Sequence, residues 1–275
     1  MSPRPLREVD LLAEASRVVP TTRRRGDRLL TSPDRVAHEE PLEVQVAGTP
    51  VAVIMRTPGH DRELVTGFLV TERVVESLDQ VATVHHGGHD EGNLVRVVLA
   101  RGLPFDAEGL RRNLYAGSSC GICGKASLEV ALRTAPPLDD SARFAAELFP
   151  RLPARLRRSQ LVFDETGGLH GAALFTPAGD LLVAREDVGR HNAVDKVVGW
   201  ALRAGHPLAG HLLMVSGRIS FEIVQKALAA RIPAIAAVSA PTSLAVELAA
   251  EARIALVGFL RGRDLNVYGW RERIV

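Results

Sequence analysis

Cysteine is almost missing from this 275-residue chain: Cys120 and Cys123 are the two it has, and both stand in one short stretch, AGSSCGICGKASLE. A small scaffold stapled by several disulfides is thereby excluded. Lysine is rare as well. All but three of the 34 basic residues are arginine, the exceptions being Lys125, Lys196 and Lys226. With so much Ala, Val, Leu and Gly this reads as coding bias, so no lone arginine argues for a phosphate clamp. Charge of one sign is not in excess, and a net +2 does not point to nucleic acid. Long apolar runs are absent too. Stretches such as AIAAVSA are far too short to span a bilayer. The sequence opens without a charged-then-apolar leader, and the paired arginines of TTRRRGDRLL precede no apolar stretch. The expectation is a cytoplasmic protein with no membrane and no nucleic-acid partner, whose cysteines stay reduced unless they are redox-active, catalytic or metal-bound.

What is present is ordinary globular composition, 46% hydrophobic and 24% charged, in a chain long enough for one large domain or two small ones. No internal repeat or low-complexity tract is visible. Residues 1–35 are polar, carry four prolines and read as a partly ordered arm. Residues 36–135 read as an α+β part. LEVQVAGTPVAVIM suggests a hairpin turning around Gly48-Thr49-Pro50, DRELVTGFLVTERVVES a helix with Asp61 as N-cap, and NLVRVVLA a strand. After the cysteine loop, KASLEVALRTA looks helical. Residues 136–275 are more regular. A hairpin over GAALFTPAGDLLVARED leads to a helix closed by Gly205. Strands HLLMVSG, PAIAAVSA and IALVGFL then alternate with helices ISFEIVQKALAAR and PTSLAVELAAEA. Strands alternating with helices predict an α/β sheet of parallel strands covered on both faces.

Three kinds of chemistry use a Cys-x-x-Cys pair. A structural zinc needs four ligands, so His85, His86 or His89 would have to complete it, and HHGGHD lacks the usual spacing. A nucleobase deaminase carries H-x-E and then P-C-x-x-C. His38-Glu39-Glu40 fits the first formally, but Ser119 stands where the proline belongs. Thiol or sulfur chemistry fits the surroundings better. Cys123 precedes a predicted helix N-terminus, Lys125 adds a cation, and both lower a thiol pKa. Glycines at 117, 121 and 124 give the loop freedom, and they argue against two inert buried thiols.

A nucleotide in such a sheet is expected beyond the carboxyl ends of parallel strands, at helix N-termini. Three segments qualify: Ser216-Gly217-Arg218, Ser239 to Ser243 with Thr242, and GFLRGRDLN with Arg261, Arg263 and Asp264. Asp264 is a candidate reader of guanine, since a carboxylate accepts from its N1 and exocyclic amine. The bland alternative for each Ser or Thr is helix capping. REDVGRHNAVDK gathers Glu186, Asp187, Arg190, His191, Asn192, Asp195 and Lys196. His191 and Asp195 share a helix face, so a catalytic dyad and a merely capped helix start are both open.

SSCGICGKAS, REDVGRHNAVDKVVG, SGRISFEIVQKA, IPAIAAVSAPTSLAVELA and VGFLRGRDLNVY, in that order, resemble the formate dehydrogenase accessory sulfurtransferase family (FdhD) over about residues 35–270. The resemblance implies a cytidine-deaminase-like three-layer α/β/α core with a smaller N-terminal α+β part and no zinc. It implies a sulfurtransferase in which Cys120 carries a persulfide received from a cysteine desulfurase, with Cys123 as its partner. The sulfur goes to the molybdenum bis(molybdopterin guanine dinucleotide) cofactor, a bound substrate for which GDP is an analogue, before insertion into formate dehydrogenase. Phe259, Leu260, Arg261, Gly262, Arg263 and Asp264 then belong to the cofactor site, with Ser216, Gly217, Arg218, Ser239, Thr242 and His191 as further candidates. A homodimer is implied as well. A non-covalent cofactor chaperone and a thiol-disulfide oxidoreductase are the alternatives.

Overall fold

The computed structural model describes residues 8–87, 92–102, 128, 131, 132 and 135–275. Cys120, Cys123 and most of the helix expected after them lie outside the described residues. Residues 8–37, which run two residues past the expected arm of 1–35, form helix α1 (Glu8–Ala15) and the antiparallel pair β1 (Ser16–Arg25) and β2 (Arg28–Ala37).

A four-stranded sheet follows, in the order β4-β3-β6-β5, built from β3 (Glu40–Val46), β4 (Thr49–Arg56), β5 (Val81–His86) and β6 (Leu94–Leu99). The alternation in LEVQV is used as period-two patterning requires: Leu42, Val44 and Val46 are buried. The β3–β4 turn is Ala47-Gly48, one residue earlier than expected. Both residues have positive φ, the conformation a two-residue hairpin turn demands. Helix α2 (Asp61–Thr71) lays Leu64, Val65 and Leu69 on this sheet. Asp61 is its first residue and not its cap. That place is taken by His60, and the Asp61 carboxylate is instead engaged by Arg56 and His86.

The larger sheet has six strands in the order β12-β11-β10-β9-β7-β8. They are β7 (His170–Phe175), β8 (Leu181–Asp187), β9 (Leu212–Val215), β10 (Ala234–Ala237), β11 (Ala255–Arg261) and β12 (Asp264–Gly269). Only β9, β10 and β11 run parallel to one another. The sheet is antiparallel at both flanks, because β7–β8 and β11–β12 are joined by turns too short for a crossover. The last expected strand is therefore not the last: its continuation turns at Gly262 and returns as β12.

The remaining helices are α3 (Leu152–Arg158), α4 (Leu161–Thr166), α5 (Arg190–Ala204), α6 (Phe221–Ala229) and α7 (Ser243–Glu251). One sheet face, with Leu174, Leu213, Val215, Ile235 and Leu256, packs on α5, α6 and α7. The other, with Phe175, Met214, Ala236 and Val257, packs on Phe149, Leu152 and Leu156 at and before α3. The result is a mixed α/β fold whose core has three layers, α/β/α, beside a smaller α+β part, as expected.

Glycine joins the two parts. A Cβ on Gly67 of α2 would lie 1.9 Å from the Asp195 carbonyl oxygen, and one on Gly199 of α5 would lie 1.8 Å from that of Glu63. The two helices therefore cross backbone to backbone, an approach no larger residue permits.

Candidate functional site

Three chain segments converge at the carboxyl ends of β9, β10 and β11. Ile219 N donates to Ala240 O at 3.1 Å, Thr242 N to Ile219 O at 3.0 Å, and Phe259 N to Ser239 O at 3.1 Å. The turns after β9 and β10 are thus stitched to each other and to β11, and the sequence-predicted residues Ser216, Gly217, Arg218, Ser239, Thr242 and Phe259 come together. The Ser216 hydroxyl accepts from Gly171 N at 2.9 Å, which fixes this turn against β7. Thr242 is the N-cap residue of α7, yet its side chain makes no capping bond.

The 259–264 segment is a hairpin turn and not a loop beyond the sheet. Phe259 has φ 56 at a β-bulge, Gly262 has φ 61, and Arg261 pairs with Asp264 across the turn. Leu260 is buried in the second core, so only its backbone can meet a ligand. Arg261, Gly262, Arg263 and Asp264 are exposed, and the Arg261 guanidinium stands 5.9 Å over the Phe259 ring.

REDVGRHNAVDK is mainly architectural. The buried Asp187 carboxylate accepts from Thr57 N, Gly189 N, Asn192 Nδ2 and the buried Lys196 Nζ at 2.7–3.2 Å. Lys196 also donates to the Thr57 carbonyl at 2.9 Å. Glu186 accepts from the Val162 and Phe163 backbones at the start of α4, while burial pushes its carboxyl above the usual range. Arg185 makes a two-pronged pair with Glu63 of α2, at 2.6 and 2.9 Å. Asp195 faces α2 and α6, accepting from Thr71 Oγ1 at 2.7 Å and Lys226 Nζ at 2.9 Å. Burial pushes it up to about 6, and the neighbouring ammonium works against that rise. Asp195 is thereby committed elsewhere, and a His191–Asp195 dyad is not formed.

His191 instead has the Glu222 carboxylate 4.0 Å away. Burial, then the charges of Arg190 and Lys226, push its imidazole down to about 4, so it is neutral near pH 7. Its buried Nε2 and the buried Nε of Arg190 have no hydrogen-bonding partner among the described residues. Arg190 reaches the same turn as Ser216: a Cβ on Gly217 would lie 3.4 Å from His170 Nδ1 and 3.9 Å from Arg190 Cδ. His170 is also held below its ordinary value, by burial and by Arg190.

Beside these turns, on the α3 side of the sheet, opens a cavity of about 750 Å³. Arg157, Gln160, Phe163, His170, Met214 and Ser216 are in its wall, with Gly217 and Val238 from the strand ends. That volume suits a ligand of nucleotide size. Residues 259–264 do not line it. Gln160 and Phe163, which sequence reasoning passed over, do. Their only signal in the sequence was a short polar-and-apolar stretch between two predicted elements.

Among the described residues no helix is long and apolar enough to cross a membrane. The FdhD/NarQ family profile matches residues 37–275. Sulfur carrier protein FdhD of Streptomyces avermitilis is 51% identical, over 91% of this chain and 92% of its own. The protein of that name from Mycobacterium tuberculosis is also 51% identical, over 90% of this chain and 95% of its own. That of Sulfurisphaera tokodaii is 45% identical, over 88% and 92%. A crystal structure from Desulfotalea psychrophila, of "a putative formate dehydrogenase accessory protein", superposes with a TM-score of 0.77 at 23% identity, covering 95% of this chain and all of that one. This last likeness bears on the fold.

Proposed function

The chain belongs to the FdhD/NarQ family, and from that membership we propose that it is a cytoplasmic sulfur carrier serving formate dehydrogenase. Cys120 accepts a sulfur from the persulfide of a cysteine desulfurase, which regains its thiol. The sulfur then passes to the molybdenum bis(molybdopterin guanine dinucleotide) cofactor. The observation that carries this reading is the chain-length identity to proteins named sulfur carriers, together with the placing of both cysteines of the chain in one Cys-x-x-Cys.

The described site supports the second half of the reaction. The backbone N–H groups of Gly217, Arg218 and Ser220, with the Arg190 guanidinium, offer donors to a diphosphate at the start of α6. The cavity next to them has room for one base-bearing half of the cofactor. Arg261, Arg263 and Asp264 are exposed on the β11–β12 hairpin for the rest. Neutral His191 and His170 can each donate or accept a hydrogen bond without adding charge.

For Cys123 the reading is a resolving thiol. Its thiolate attacks the Cys120 sulfur, the outer sulfur leaves as hydrosulfide, and a Cys120–Cys123 disulfide remains for a cellular dithiol to reduce. A pair two residues apart makes that step intramolecular.

Peptide mapping by mass spectrometry after incubation with a cysteine desulfurase and cysteine tests the proposal. One added sulfur on the Cys120 peptide, lost in Cys120→Ala, is expected. An added sulfur only elsewhere, or undiminished in that variant, overturns it, and no added sulfur at all favours a non-covalent chaperone.

A further inference from the structure

Gln160 is a polar side chain in an unusual position. It sits between α3 and α4, 4% exposed, in the wall of the 750 Å³ cavity. Its backbone N–H and C=O are bonded to Arg157 and Asp164, and its side chain is left to the cavity wall. A carboxamide carries two donors and an acceptor, which at a cavity wall are available to a ligand.

The amide also has its seat prepared. Gly171 in β7 lies against it, and a Cβ there would come within 2.7 Å of Gln160 Nε2 and 2.9 Å of Cδ. Any residue but glycine at 171 would drive the amide away. Gly171 N and O are meanwhile bonded to Ser216, so the strand edge beneath the amide is locked. One turn along the chain, the Phe163 ring carries the Arg157 guanidinium 4.8 Å from its centre, and the two form a flat wall of the same cavity, the guanidinium also pairing with the Asp164 carboxylate.

We infer that Gln160 reads the polar edge of a flat fused heterocycle seated in this cavity. Its Oε1 accepts a ring N–H and its Nε2 donates to the adjacent ring carbonyl, while the ring lies along the Phe163–Arg157 pair. The required chemistry is a cyclic amide, an N–H beside a C=O. Guanine and pterin both present it. The inference rests on the proposed binding of a guanine dinucleotide cofactor and assigns base recognition to Gln160. It differs from recognition by Asp264, because a carboxylate needs the exocyclic amine of guanine and a carboxamide does not.

Titration calorimetry with GDP, IDP, pterin and pyrophosphate separates these cases in the full chain, with Gln160→Leu and Gln160→Met compared after their melting curves show folding. IDP keeps the cyclic amide and lacks the amine. Wild type is expected to bind GDP and IDP within about threefold of each other. Both variants are expected to weaken GDP and IDP alike by about tenfold, the scale of one lost hydrogen-bonded contact, and to keep pyrophosphate affinity. Binding of pterin, weakened in the same way, assigns the cavity to the pterin end. Variants that keep wild-type affinity for GDP overturn the inference and leave the cofactor reading intact. Strong wild-type preference for GDP over IDP does the same and returns the base to Asp264. A variant that loses pyrophosphate in proportion also overturns it, since its effect is then general. If neither the nucleotides nor pterin binds wild type, the inference and the cofactor reading both fall.

Discussion

Lys226 Nζ lies 2.9 Å from Asp195 Oδ2, and both side chains are almost wholly buried. The same ammonium reaches Glu72 at 2.6 Å and Thr71 Oγ1 at 3.0 Å, so one cation on α6 ties α2 to α5. Removing it strands two carboxylates. Lys226→Met is expected to cost about 3–5 kcal/mol in urea unfolding. The double change K226M/D195L should recover part of the loss, because the uncompensated charge goes with its partner.

The pair between Glu63 and Arg185 sets an acid limit. Burial raises the Glu63 carboxyl, but hydrogen bonds from His60 and Arg185 outweigh it and bring the group from 4.5 to about 2. A depressed carboxylate stabilises the fold fully above its unfolded value and loses that contribution as pH falls toward the folded one. Stability should therefore drop between pH 4.5 and about 2, by on the order of 3 kcal/mol for this group. Glu63→Gln should flatten that part of the profile and lower stability at pH 7, as read by urea melts across the range.

The crossing of α2 and α5 leaves no space at Gly67 or Gly199. Gly67→Ala, a benign change in most helices, is expected to destabilise by more than about 3 kcal/mol or to abolish soluble folding, by forcing the helices apart. A thermal melt within a degree or two of wild type would show that this contact is looser than the backbone geometry requires.

These interactions also mark how far the sequence can be read. The hairpin at residues 40–56, the α2 stripe and the Gly205 stop were legible, because local periodicity and one left-handed residue determine them. The sheet's flanks were not. β12 is short and follows a polar turn, so LRGRDLN reads as a loop until β11 is seen to pair with it. Asp61, Asp187 and Asp195 looked like cap or site residues, since an acid near a helix start has local uses. Their actual partners, Arg56, Lys196 and Lys226, stand from 5 to 31 positions away. Gln160 had little sequence signal, because its meaning comes from a cavity wall and from a glycine on another strand. The turns after β9 and β10 stand at the strand ends where the alternation of strands and helices puts them, whereas the third segment is a hairpin. The cysteine loop lies outside the described residues, and its chemistry stands on the sequence and the relatives.

Cys123 has its own test. If its thiolate resolves the persulfide, wild type preloaded with sulfur should show a Cys120–Cys123 disulfide after release. Cys123→Ser should load normally and deliver slowly. Delivery at the wild-type rate from that variant, with no disulfide in wild type, assigns direct transfer from Cys120.

The central claim is that sulfur travels from Cys120 to the cofactor, and isotope transfer tests it most directly. The protein is preloaded with isotopically heavy sulfur by a cysteine desulfurase, freed of small molecules and mixed with molybdenum bis(molybdopterin guanine dinucleotide). Mass spectrometry of the recovered cofactor reads the result. The account predicts heavy sulfur on the cofactor from wild type and none from Cys120→Ala. Cofactor that stays unlabelled while the persulfide persists, or that is labelled equally by the Cys120→Ala protein, would contradict it.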